Sequence, residues 1–381
     1  MLRALCLAMT ILVLPSAAEA ASDLGANAAL KYWQAFATLP KLTDADQKML
    51  EESLTEPLDA HARALVARAE YALRMMHRGA ALPRCDWGLP AEEGIEIRLI
   101  HVDGARVLSS LACLRARVRF EEGKSADAID DLVAALTLGR HTSQNAVLIM
   151  TLAGYAIEHR VSETLALYLP KLNARMIKDL KTRLDALPPG GTPATGMRYE
   201  ERFWLDWFVR KVKEAKDRDS LLDVLALASV EPEGKNRDPR EKGRAFLKEC
   251  GGTAAGALKC AEETRSSYAR VAKMLDLPSD QFEKDFEREA RKQAGNPVFK
   301  VFFPAVVKVR QAQARADVHR ALLSAALAVR LDGRDALKKH PDPVVGGPFE
   351  YVAFKGGFEL RSKLKGRDGK PVALTVGRHE E

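Results

Sequence analysis

The residues of this 381-residue chain best suited to chemistry lie in one loop and the acidic stretch that follows it. The loop is Leu82-Pro-Arg-Cys-Asp-Trp-Gly-Leu-Pro90, and after it come Glu92, Glu93, Glu96, His101 and Asp103. On one continuous helix Glu92, Glu96 and Asp103 would share roughly one face. Glycoside cleavage uses such a set: a carboxylic acid of raised pKa beside an ionised one, with an exposed Trp to stack a sugar ring. The candidate binding set is therefore Arg84, Asp86, Trp87, Glu92, Glu93 and Glu96. The competing expectation, which we favour, is that Trp87 fills the core, Cys85 staples the loop and the acids sit in water.

Two further constellations are weaker. His159 and Glu163 stand four apart, the spacing of a metal-binding pair on a helix, but no third ligand is near in sequence, so a surface pair is expected. Phe203, Trp204, Trp207 and Phe208 precede Arg210, Lys211, Lys213 and Lys216. That pattern suits a membrane interface, but it suits a core helix with a solvated outer face better. Gly251-Gly-Thr-Ala-Ala-Gly256 lacks the Lys-Ser/Thr of a phosphate loop and reads as a helix break. There is no nucleophile elbow and no zinc-protease helix. No catalytic residue, metal or cofactor is assigned.

The elements that must hold these residues are helical. Hydrophobic residues make up 47% of the chain and aromatics 6%, enough for a large core and too much for wholesale disorder. Apolar residues recur at three- and four-residue steps from Ala26 to Ala37, from Pro57 to Gly79, from Gly104 to Gly123 and from Ala128 to Gly139. Further helices are expected over Ser143 to Leu169 and Asn173 to Leu187, from Ser279 to near Gly295, and over Ala305 to Leu331. Pro188 to Gly196 reads as a linker, and Glu231 to Gly243 as a polar break. Beyond residue 341 the period changes to two, and three strands around glycine turns are expected to bury one face on the long helix.

Cysteine usage and the first residues bear on compartment. Arg3, the apolar run Ala4 to Leu14, Pro15 and the small residues Ala18 and Ala20 are those of a signal peptide cleaved after Ala20. The run is too short for a membrane span, so no transmembrane span is expected after cleavage. The expected location is periplasmic or extracellular. Four cysteines remain in the mature chain, and proximity suggests Cys85–Cys113 and Cys250–Cys260 bridges. The net charge of +7 is compatible with an anionic envelope polymer, whereas nucleic acid is not an expected partner of an exported protein.

The run from Gly123 through Ala128, Ile129, Leu132, Ala135 and Leu136 resembles the turn and second helix of a tetratricopeptide repeat, with Arg119 where that pattern has an aromatic. Segments Asn27 to Phe36, Ala81 to Gly88, the Gly123 hairpin, Pro348 to Tyr351 and Gly357 to Leu360 together resemble a family of uncharacterised secreted bacterial helical proteins. That resemblance implies helical architecture and export, with no activity attached.

The expected fold is mainly α: stacked, repeat-like helical hairpins with a small C-terminal antiparallel β meander. The expected division is a signal peptide (1–20), an N-terminal helical domain (21–187), a linker (188–196), a C-terminal helical region (197–340) and the meander with its tail (341–381). The expected function is a non-catalytic interaction or scaffold role in the cell envelope, toward a protein or an anionic polymer. The alternative is an envelope polysaccharide hydrolase working through the carboxylates near Trp87.

Overall fold

The computed structural model describes residues 26–52, 57–228, 238–366 and 368–378. The expected signal peptide lies outside them, as does most of the Glu231 to Gly243 break. Among the described residues there are sixteen α-helices and one three-stranded sheet, a mainly α fold with a small C-terminal meander.

The first eight helices are α1 (Ala28–Ala37), α2 (Asp44–Glu52), α3 (Ala60–Arg68), α4 (Glu70–Ala80), α5 (Ile100–Glu121), α6 (Ser125–Ser143), α7 (Leu148–Tyr168) and α8 (Ala174–Asp185). Their starts follow side-chain capping rules. Asn27, Asp59 and Asn173 each accept a hydrogen bond from an N–H of the first turn. Thr43 and Asp46 satisfy each other's backbone at the head of α2. The single helix expected after Pro57 is instead two, parted at Ala69.

The α5–α6 hairpin turns at Gly123, whose φ of 76° is in the left-handed region. Ala116, Ala128 and Ala135 are fully buried between neighbouring helices. Arg119 answers its irregular position in the hairpin by donating to the Asp127 carbonyl and the Asp131 carboxylate. Gly139 does not end α6, which continues to Ser143. Its place is at the crossing with α7. A Cβ on Gly154 would stand 2.8 Å from the Gly139 carbonyl oxygen, so the two backbones touch where both side chains are missing.

The second set comprises α9 (Pro193–Glu200), α10 (Asp206–Glu214), α11 (Arg218–Ala228), α12 (Pro239–Glu249), α13 (Ala254–Leu275), α14 (Ser279–Lys292), α15 (Pro297–Phe302) and α16 (Pro304–Asp332). A π-helical turn, Glu201–Leu205, joins α9 to α10. The expected linker is only partly one. Thr192 forms a capping box with Thr195 and starts α9 inside it, and Gly191 donates to Ser143 Oγ at 2.9 Å.

The sheet runs β1 (Glu350–Phe354), β2 (Gly357–Lys365) and β3 (Pro371–Gly377), antiparallel in that order. Phe358 pairs with Val376 and Leu360 with Leu374. These four are buried, and with Val372 they belong to the core of α1–α8. The sheet packs on α7 and on the long helix α16. Helix α16 joins both cores, contributing Val306 to the core of α9–α15 and Val318, Leu322 and Ala326 to the first.

Candidate functional site

The Trp87 loop is tied to the start of α1. Asn27 donates from Nδ2 to the Asp86 carbonyl at 2.8 Å and accepts from the Asp86 N–H at 2.9 Å. Gly88 N–H closes on Asp86 Oδ1 at 3.0 Å. These bonds turn Trp87 inward, where 8% of it is exposed. Its ring stacks on His101 with centroids 4.7 Å apart, and its Nε1 donates to the His141 carbonyl at 3.0 Å. The indole is therefore a core plug, and the exposed sugar platform is not formed.

Burial sets the chemistry around that plug. His101 is 1% exposed, and neither ring nitrogen has a hydrogen-bond partner. Desolvation lowers its pKa from 6.5 to about 4, against the opposing charge of Asp103. Burial alone takes His141 to about 4. Tyr32 Oη lies 2.9 Å from His141 Nδ1, and burial drives the phenol well above its ordinary range. Both imidazoles are neutral across the physiological range and sealed from solvent.

The acids do not follow the face expected of them. Glu92, Glu93 and Glu96 lie in a 3-10 turn, Ala91–Glu96, that ends in extended backbone at Ile97. The helical register that would have linked them to Asp103 is broken there. Trp207 Nε1 donates to Glu96 Oε2 at 3.3 Å, and Lys211 Nζ stands 3.3 Å from the same oxygen. Arg210 donates to the Glu92 carbonyl. Gly94, with φ of 57°, lets this turn lie against the Trp207 ring. Arg84, Asp86 and Trp87 instead line a cavity of about 310 Å³, shared with Gln144, Asn145, Tyr199 and Arg202.

A cleft of about 510 Å³ opens between α2, α5 and α7. From α5 it takes Asp103, Arg106, Val107 and Ser110, and from α7 Ala156, His159, Arg160 and Glu163. Both sets repeat at steps of three, four and seven, so each is one helix face. His159 Nε2 lies 3.6 Å from Glu163 Oε1. Behind it His319 of α16 brings its ring centroid to 4.1 Å. Burial lowers His319 to about 3, with His159 and Arg315 adding to the effect. Arg160 reaches across to the Leu50 carbonyl of α2 and ties the two walls together. Acidic and basic side chains share the walls over an apolar floor of Leu50, Val107 and Ile157.

Sequence reasoning had named Asp103, His159 and Glu163 separately. It missed Arg106, Arg160 and Glu51, whose only signal was a polar stripe at helical spacing. Among the described residues, no group of three or more His, Cys, Asp or Glu is placed to hold a metal ion. No helix among them is long and apolar enough to cross a membrane. Phe203, Trp204, Trp207 and Phe208 are all buried, the last two at 1% and 0% exposure, so they form core and not a membrane face.

The four cysteines among the described residues are free thiols, with neither expected bridge present in this structure. Cys113 is hydrogen-bonded to Thr164, and burial pushes it up to about 11. Cys85 lies by Asp86 and the Ala29 backbone, and burial takes it to about 12. The pairing of these two by nearness in sequence fails because α5 carries Cys113 against α7. The Cys250 and Cys260 thiols do meet and share a hydrogen bond.

Comparison with protein-family models, with curated proteins and with solved structures finds no match for this chain.

Proposed function

We propose that this protein is an exported, non-catalytic interaction or scaffold protein of the cell envelope that holds a partner polypeptide in the α2/α5/α7 cleft. The observation that carries this reading is that Asp103 and Glu163 share the cleft walls with Arg106, His159 and Arg160, on two helices, over apolar residues. A polypeptide segment offers side chains of both signs and an apolar face to such walls, which is how helices are taken into grooves. Two buried carboxylates outside the cleft are held in ion pairs. Asp131 is held by His77, Arg115 and Arg119, and Glu158 by Arg140 and Arg320.

Export rests on the signal-peptide pattern and cleavage after Ala20. In an oxidising compartment we place a disulfide between Cys250 and Cys260, formed by thiol–disulfide exchange with an oxidising protein disulfide. The two thiols give up two protons and two electrons, and that protein is reduced to a dithiol.

The test compares wild-type protein with the charge-reversed variants Arg106→Glu and Glu163→Lys in affinity capture from envelope extracts, followed by reconstitution with the purified partner. Binding of one partner, lost by at least tenfold in both variants, is the expected result. Release of soluble glycan from cell walls, abolished in Glu96→Gln or Glu163→Gln, would replace this reading with the hydrolase.

A further inference from the structure

A second cavity, of about 380 Å³, lies where α14, α16 and the end of β2 meet. Its α16 wall is a single helix face: Val307, Arg310, Gln311, Ala314 and Arg315 stand at steps of three, four, seven and eight. Lys365, the last residue of β2, and Gly366 just after it close the opposite side. Three cationic side chains thus line the cavity, with Glu283 as its one carboxylate. Phe282, only 1% exposed, supplies an apolar floor together with Val307 and Leu364.

We propose that this cavity binds a phosphoryl group carried on a small apolar or alcohol moiety. Guanidinium forks match the oxygens of phosphate in a bidentate way, and Lys adds a point charge. Arg310 is already held by one nitrogen, Nη2, which donates to the Leu277 carbonyl at 3.0 Å. Its Nε–H is buried and has no hydrogen-bond partner. A volume near 380 Å³ falls within the range of small-ligand pockets and admits more than a bare ion, while the floor of Phe282 and Leu364 favours a ligand with a non-polar part.

The site is independent of the α2/α5/α7 cleft. It lies between the two cores, since Phe282 belongs to the second and Leu364 packs against the first. Occupancy therefore stabilises their junction as well as neutralising charge.

Two sources present this chemistry, a soluble phosphoester and a phospholipid headgroup. Titration calorimetry with glycerol phosphate tests the first, and flotation with phosphatidylglycerol vesicles against phosphatidylcholine vesicles tests the second. Saturable binding in either arm, weakened at least tenfold in the Arg315→Gln/Lys365→Gln double variant, is the expected result. The conservative Arg315→Lys variant is expected to fall between. Circular dichroism and thermal melts establish that the variants are folded, and Lys365→Gln alone, at an exposed position, serves if the double variant is not. Failure of wild-type protein to bind in both arms, or unchanged binding in folded variants, overturns the proposal.

Discussion

Trp87 and His101 lie ring on ring, 4.7 Å apart, in the interior of the helical core. The stack leaves both nitrogens of His101 without a hydrogen bond, so the imidazole is tolerated only while it is neutral. His101 and His141 both fall from 6.5 to about 4 through burial. Between those values the unfolded chain binds protons that the folded chain refuses, so stability falls as pH drops from about 6.5 toward 4. Each fully counted shift is worth on the order of 3 kcal/mol. Urea denaturation near pH 7 and near pH 4.5 should show His101→Phe losing markedly less stability on acidification than wild type. An equal loss in both would remove His101 as a source of the acid sensitivity.

Asp131 is a buried carboxylate held by His77, Arg115 and Arg119. Burial opposes its ionisation, but hydrogen bonds from His77 and Arg115 outweigh it and hold the pKa below its ordinary value. It is 0% exposed, with Arg115 at 2.5 Å and Arg119 at 2.8 Å. Asp131→Asn removes the buried counter-charge of Arg115 and leaves it the half-exposed Glu70 at 2.7 Å, which should cost about 3–5 kcal/mol. Chemical denaturation reads this directly, and a loss below about 1 kcal/mol would show the network to be solvent-screened.

Gly154 sets how closely α6 and α7 approach. Gly154→Ala puts a methyl group against the Gly139 carbonyl and the Ser143 Cβ, both 2.8 Å from the added atom. One obstacle is backbone, so the helices must part, at a cost of about 1–3 kcal/mol. The same change at Gly295, where nothing lies within 4 Å, supplies the control. Equal melting temperatures for the two variants would contradict the close approach.

Protein recovered from an oxidising compartment should carry a Cys250–Cys260 bridge and free thiols at Cys85 and Cys113. Burial keeps the latter two protonated at about 12 and 11, so almost no thiolate exists to react. Cys260 is the more accessible member of its pair and makes the first attack. Closing so short a loop should add about 2–3 kcal/mol. Peptide mapping after thiol alkylation distinguishes the pairings, and four alkylated cysteines would eliminate the bridge.

Local pattern alone was sufficient for the helical class, the Gly123 hairpin and the three C-terminal strands. Periodicity reports which face of an element is apolar, and turn residues report where the chain must bend, so neither needs a partner to be known. What the pattern could not contain was the company each residue keeps. Trp87 has the same identity whether it stacks a sugar or fills a core, and Asn27, 59 residues away from Asp86, decides that it turns inward. Glu92 and Glu96 left the face assigned to them because the backbone breaks at Gly94 to admit the Trp207 ring. Asp103 was readable as an acid and His159 as half of a pair. Only the packing of α5 against α7 placed them in one cleft, because burying apolar area between distant helices fixes contacts that no local spacing encodes.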